Sequence, residues 1–181
     1  MANIDLYANG IEAALREESV GKATLLTMTL MIGYFGSCKS LLDAVAIGLN
    51  QIHNLKLGHR EQDFGKPKFW NRLRETNTDT FERYRPKKSL ADEIIKWRDS
   101  AIHRQAPIIL PSHTTGEIPR EEITLWLINS PEPHIDRNII SVPTGQDVKI
   151  DPRSLHAQWR SDFIWLCGQI CKDIAEWSET V

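Results

Sequence analysis

The sequence predicts a mainly α protein: an up-and-down helical bundle in one domain over residues 1–181, with a small, irregular β-rich insertion over 106–150 ahead of the last helix. Three observations carry this expectation. Apolar residues step by threes and fours through 19–57 and again through 155–177, the spacing that places them on one face of a helix. Between those stretches Pro107, Pro111, Pro119, Pro131, Pro133 and Pro143 interrupt the chain, and proline's locked φ and missing N–H stop a helix from running through them. The composition is that of an ordinary globular chain, 41% hydrophobic and 25% charged, and 181 residues bury enough surface to fold with no disulfide or metal staple.

The first helix is expected from Ser19 to Leu57, with Met28, Ile32, Phe35, Cys38, Leu42, Val45, Leu49 and Ile52 as its buried stripe. Gly33, Gly36 and Gly48 fall inside it. Each costs a helix about 1 kcal/mol relative to alanine, so they either weaken it locally or mark close approach of a neighbouring helix. The most apolar stretch, Leu25 to Phe35, is shorter than the roughly 20 residues that cross a bilayer. The N-terminal MANIDLYANG has no basic region followed by an apolar core, so neither a membrane span nor a signal peptide is expected. A polar connector, GHREQDFGKPK, leads to a short helix over 69–81. The next helix, 89–103, follows Pro86; Ser89 is its cap, Asp92 and Glu93 supply negative charge near its start, and Leu90, Ile94, Trp97 and Ala101 form its apolar face. Within 106–150, short apolar runs at 108–110, 123–128, 139–142 and 148–150 are bounded by Pro, Gly or Asn, the pattern of strands. The last helix opens at Asp151–Pro152, a cap followed by a favoured first-turn residue. Its stripe is Leu155, Trp159, Phe163, Leu166, Ile170, Ile174 and Trp177, read as core or dimer interface.

Several functions are disfavoured by what is missing from the sequence. A net charge of −2 argues against non-specific coating of nucleic acid, though not against gripping a few phosphates. No phosphate-binding loop, dinucleotide fingerprint, His-Glu-x-x-His pair or nucleophile elbow is found. The six histidines show no metal-ligand spacing on one helix, so neither a metal nor another cofactor is expected. Cys38, Cys167 and Cys171 are an odd set without framework spacing, which points to reduced thiols and a cytoplasmic home, with Cys167 and Cys171 as small core residues. One segment departs from the bulk charge: residues 66–88 hold eight basic side chains against three acidic ones, a local +5. It is either a solvated surface or a flank that holds a polyanion near the active site.

The remaining candidate is IIKWRDSAIHRQAP, residues 94–107. Asp99 and His103 are four apart, one helical turn, and a carboxylate beside an imidazole fixes its tautomer and stabilises its cation. Arg98 lies about 140° around the helix from His103; its guanidinium is always charged and suits a phosphate. The segment is also readable as a surface salt-bridge cluster, or as a histidine complementing the helix dipole.

Arg98-Asp99-Ser100-Ala101-Ile102-His103 resembles the Arg-x4-6-His signature of the HEPN superfamily, with a polar residue directly after the arginine. KSLLDAVAIGLNQ on the long preceding helix and DFGKPKFWNRL before the motif helix are similar to bacterial HEPN proteins. The resemblance covers residues 20–105 and the last helix, with 106–150 outside the minimal helical domain. It implies a metal-independent endoribonuclease working as a homodimer, with two motif helices facing one cleft. His103 then assists attack of the ribose 2′-hydroxyl on phosphorus, Arg98 neutralises charge on the phosphate, Asp99 orients His103 or holds the partner helix, and Arg104 contacts a neighbouring phosphate. It further implies RNA as substrate, and a toxin or defence role under restraint by a partner protein. Two other readings stand beside it: a non-catalytic HEPN module for dimerisation or nucleotide binding, and an unrelated helical bundle.

Overall fold

The computed structural model describes residues 1–15, 20–99, 108–111, 123–127, 148–150 and 152–180, and among these six α-helices are found. They are α1 Ala2–Leu15, α2 Val20–Ile52, α3 Pro67–Thr76, α4 Thr78–Tyr84, α5 Lys88–Asp99 and α6 Pro152–Ser178, and the protein is mainly α. Two compact units are distinguished: one of residues 35–96 and 157–181 with Met1, the other of 2–34 and 97–156.

The first unit is built on two of the expected stripes. Phe35, Cys38, Leu42, Val45 and Leu49 on α2 are buried, as are Trp159, Phe163 and Leu166 on α6. The Phe35 ring meets Trp159 edge-on, centroids 6.0 Å apart. Ile170 packs over Gly48, where an added Cβ would lie 3.1 Å from its Cδ1, so this glycine does mark a close approach. The α6 stripe stops there: Ile174 and Trp177 are 44% and 40% exposed, and Ile32 on α2 is 38% exposed, contrary to their expected burial. An uninterrupted helical pattern fills a face only as far as a neighbour reaches. The side chains of Met28 and Leu155 lie outside the described residues.

Helix boundaries differ from the sequence reading where side chains compete for the backbone. α2 ends at Ile52 instead of Leu57. Asn54 turns the chain out with φ 48°, in the left-handed region that asparagine tolerates better than most residues. The helix expected over 69–81 is two helices. Asn77, at φ −150°, accepts from the Thr80 N–H and so caps α4, while its own N–H closes α3 on the Leu73 carbonyl. Pro67 opens α3 at the position where no N–H is needed. Phe64, Phe69 and Trp70 pack as a cluster beneath it, the Trp70 indole donating to the Phe64 carbonyl at 2.6 Å. α5 begins at Lys88 after a single 3₁₀ turn, Arg85–Lys87. Ser89 is therefore not a cap: it is already helical, and its hydroxyl donates back to the Pro86 carbonyl.

In the second unit, α1 was not anticipated from the sequence. Ile4, Ile11 and Ala14 are buried, and the Tyr7 ring lies across Gly33 of α2, where a Cβ would fall 2.3 Å from it. Gly36, by contrast, has open space above it and marks no close approach. Three short strands, β1 Ile108–Pro111, β2 Ile123–Leu127 and β3 Val148–Ile150, pair antiparallel in the order β1-β2-β3, with Ile109 opposite Leu125 and Trp126 opposite Lys149. The rest of 106–150, where a β-rich insertion was expected, lies outside the described residues.

The apolar part of α2 runs further than Leu25–Phe35. Leu25–Ile52 is long and apolar enough, by length and composition, to cross a membrane. Its Phe35–Leu49 stripe is nevertheless buried as core of the first unit.

Candidate functional site

Arg98 is set by α5. Leu90, Ala91, Ile94 and Trp97 are its buried residues, and Arg98 follows Trp97 in the last turn, half-buried. Its partial burial fits a guanidinium whose stem is packed along the helix and whose head lies nearer the surface. The Asp99 side chain, His103 and Arg104 lie outside the described residues, so the Asp99–His103 pairing and its relation to Arg98 are not placed.

The basic segment 66–88 is largely neutralised by partners. Lys68 pairs with Glu61 at 2.5 Å, Arg72 with Glu75 at 3.3 Å and Arg85 with Glu82 at 3.2 Å. Arg83 reaches Asp173 at 2.6 Å, Lys88 reaches Asp92 at 2.7 Å, and Lys87 binds Asp162 while lying over the Trp165 ring. Arg74 lies over Phe81, and Lys66 donates to the Arg60 carbonyl. Much of this charge therefore fastens α3, α4, the 3₁₀ turn and the start of α5.

Two polar clusters join residues far apart in sequence. In the second unit, His156 stands between Tyr34 and Asp5: its Nδ1 is 3.1 Å from the Tyr34 hydroxyl, and its Nε2 is 3.4 Å from an Asp5 carboxylate oxygen. A neutral ring with its proton on Nε2 accepts from the buried Tyr34; a protonated ring is balanced by Asp5. In the first unit, buried Asp173 accepts from Arg83, from the Tyr84 hydroxyl at 2.8 Å and from Gln169 at 2.8 Å. Burial, then the bond to Asp173, pushes the Tyr84 phenol far above its ordinary range. His53 lies nearby in charge terms. Burial lowers its pKa, opposed by Asp173 and helped by Arg83, and its buried Nε2 has no hydrogen-bond partner among the described residues.

Compared with protein-family models, curated proteins and solved structures, the chain matches none.

Cys38 is buried, Cys167 half-buried and Cys171 exposed, so Cys171 is not the small core residue the helical spacing suggested. The two lie four apart on α6, beside the buried stripe. Asp5, Tyr34 and His156 were not singled out from sequence. No local spacing links residues 122 apart, and the one available signal was the α1 pattern Ile4, Tyr7, Ile11, Ala14, which steps 3, 4, 3 and puts Asp5 beside a buried face.

Proposed function

We propose that the chain is a metal-independent endoribonuclease of the HEPN type, acting as a cytoplasmic homodimer in a toxin or defence role under a restraining partner protein. In this reading it is one domain, an up-and-down helical bundle with 106–150 as a β-rich insertion. The observation that carries the proposal is Arg98, half-buried in the last turn of α5 and followed at the motif's spacing by His103. His103 takes the proton of a ribose 2′-hydroxyl as its oxygen attacks the adjacent phosphorus. The bond from phosphorus to the 5′-oxygen breaks, that oxygen takes a proton from water while His103 returns its proton to solvent, and the ends are a 2′,3′-cyclic phosphate and a 5′-hydroxyl. Arg98 stabilises the charge that builds on the non-bridging oxygens.

The test is cleavage of labelled RNA with analysis of the ends. His103→Ala is expected to lower the rate by roughly 10²–10⁴-fold, the range for a general acid or base, and Arg98→Ala comparably. Chelator leaves cleavage unchanged, and one 2′-deoxy sugar at the cut blocks it. Equal cleavage by wild type and His103→Ala marks a contaminating nuclease. No cleavage by folded wild type favours the non-catalytic dimerisation or nucleotide-binding module.

A further inference from the structure

The loop that leaves α2 holds two non-glycine residues in the left-handed region, Asn54 at φ 48° and Lys56 at φ 57°. Lysine rarely adopts this conformation, and it persists only where the surroundings over-determine it. Here three side chains do so. The Asn50 carboxamide oxygen accepts from the Leu57 N–H at 3.1 Å, Gln62 donates to the Leu57 carbonyl at 2.9 Å, and the Arg72 Nε donates to the Leu55 carbonyl at 3.0 Å. Leu55 and Leu57 are buried on either side, leaving Lys56 exposed between two anchored neighbours.

Lys56 opens onto a surface cleft of about 510 Å³ that lies wholly within the first unit. Lys68 and Arg72 line it too, but each is held by a lining carboxylate, Glu61 and Glu75 respectively. Glu61 is fixed in its charged form: the Lys68 hydrogen bond, then the Gly58 N–H, lowers its pKa. Lys56 makes no ion pair among the described residues. Three lining cations against two lining carboxylates leave the cleft with one net positive charge, from a cation held in place at the cost of an unusual backbone. Asn71 adds an amide to the same wall.

We propose that this cleft binds one phosphodiester of a single-stranded RNA, with Lys56 meeting its non-bridging oxygens. A phosphodiester carries a single negative charge, which the one unmatched cation balances; a terminal phosphate would carry close to two. The identity of the ligand as RNA rests on the ribonuclease reading, but the cleft shares no residue with the Arg98–His103 motif.

The experiment measures binding of a fluorescent single-stranded RNA to the full-length His103→Ala protein, which does not consume the probe, over a salt series. A phosphate contact on a single strand contributes about 0.7 to the slope of log affinity against log salt. Lys56→Gln, and Lys56→Asn as a residue that tolerates the left-handed backbone, should each lower the slope by about that amount. Lys172→Gln, on α6 and outside the cleft, should leave it unchanged. An unchanged slope for both Lys56 variants overturns the inference even if wild type cleaves RNA, as does failure of the protein to bind RNA. A Lys56-dependent slope in a protein that never cleaves RNA upholds the cleft and overturns the nuclease reading.

Discussion

Asp173 shows how one buried carboxylate organises its surroundings. It accepts from Arg83, Tyr84 and Gln169 together, and the Tyr84 ring and hydroxyl are fully buried. Asp173→Ala strands that hydroxyl, and a buried donor without a partner costs about 1–3 kcal/mol. Tyr84→Phe should cost less, because Asp173 keeps Arg83 and Gln169. Urea denaturation ranks the two; a larger loss for Tyr84→Phe would contradict the assignment of Asp173 as the hub. His53 gives the same neighbourhood a pH dependence. Its folded pKa lies below the ordinary 6.5 because burial disfavours the cation. The unfolded chain therefore binds more protons just below that value, so stability is present above about pH 6.5 and falls as the solution is acidified. His53→Gln should flatten the fall in melting temperature between about pH 7 and 5. An unaltered profile in that variant sinks the idea. None of these partnerships was legible in the sequence, since Tyr84 and Asp173 are 89 residues apart and only the fold brings them together.

At the scale of elements, Gly33 and Gly36 of α2 behave oppositely. A Cβ at Gly33 would lie 2.3 Å from the Tyr7 ring, so the α1–α2 contact must shift to admit it. At Gly36 it would meet nothing within 4 Å. Gly36→Ala should therefore stabilise the protein by about 0.5–1 kcal/mol through helix propensity, while Gly33→Ala lowers the melting temperature and raises hydrogen exchange in α1. Equal shifts in melting temperature for both variants would refute the α1–α2 packing. Long stripes were legible: the Phe35–Leu49 and Trp159–Leu166 faces are buried where a 3.6-residue period puts them. Boundaries were less so. Asn77 carried a readable signal, an asparagine followed two residues on by Asp79 in what proved to be a first turn, but the surrounding apolar steps masked it. The end of α2 depends on Asn50, Gln62 and Arg72 pinning the loop, and those hydrogen bonds cross up to 17 residues. α1 escaped notice because its large apolar residues are spread thinly among alanines and its one aromatic, Tyr7, packs against a glycine instead of a large partner.

For the whole molecule, the proposed activity turns on what a second copy supplies. Arg98 and His103 sit about 140° apart by helical spacing, which makes it hard for one helix to aim both at a single phosphate. A twofold axis through the motif helices doubles the available groups and lets Arg98 of one copy work with His103 of the other. Subunit mixing separates this arrangement from a site complete within one copy. Arg98→Ala and His103→Ala homodimers are each expected to be inactive. After exchange, about half of the dimers are hybrids if pairing is random. In a shared site each hybrid holds one intact pair, the arginine from the His103→Ala copy and the histidine from the Arg98→Ala copy, so RNA cleavage returns on mixing. In a site confined to one copy no hybrid has both groups, and the mixture stays as inactive as its components. Sedimentation of the wild type as a monomer at micromolar concentration would remove the premise, and recovery of cleavage that does not depend on the time allowed for exchange would point to contamination instead of hybrid dimers.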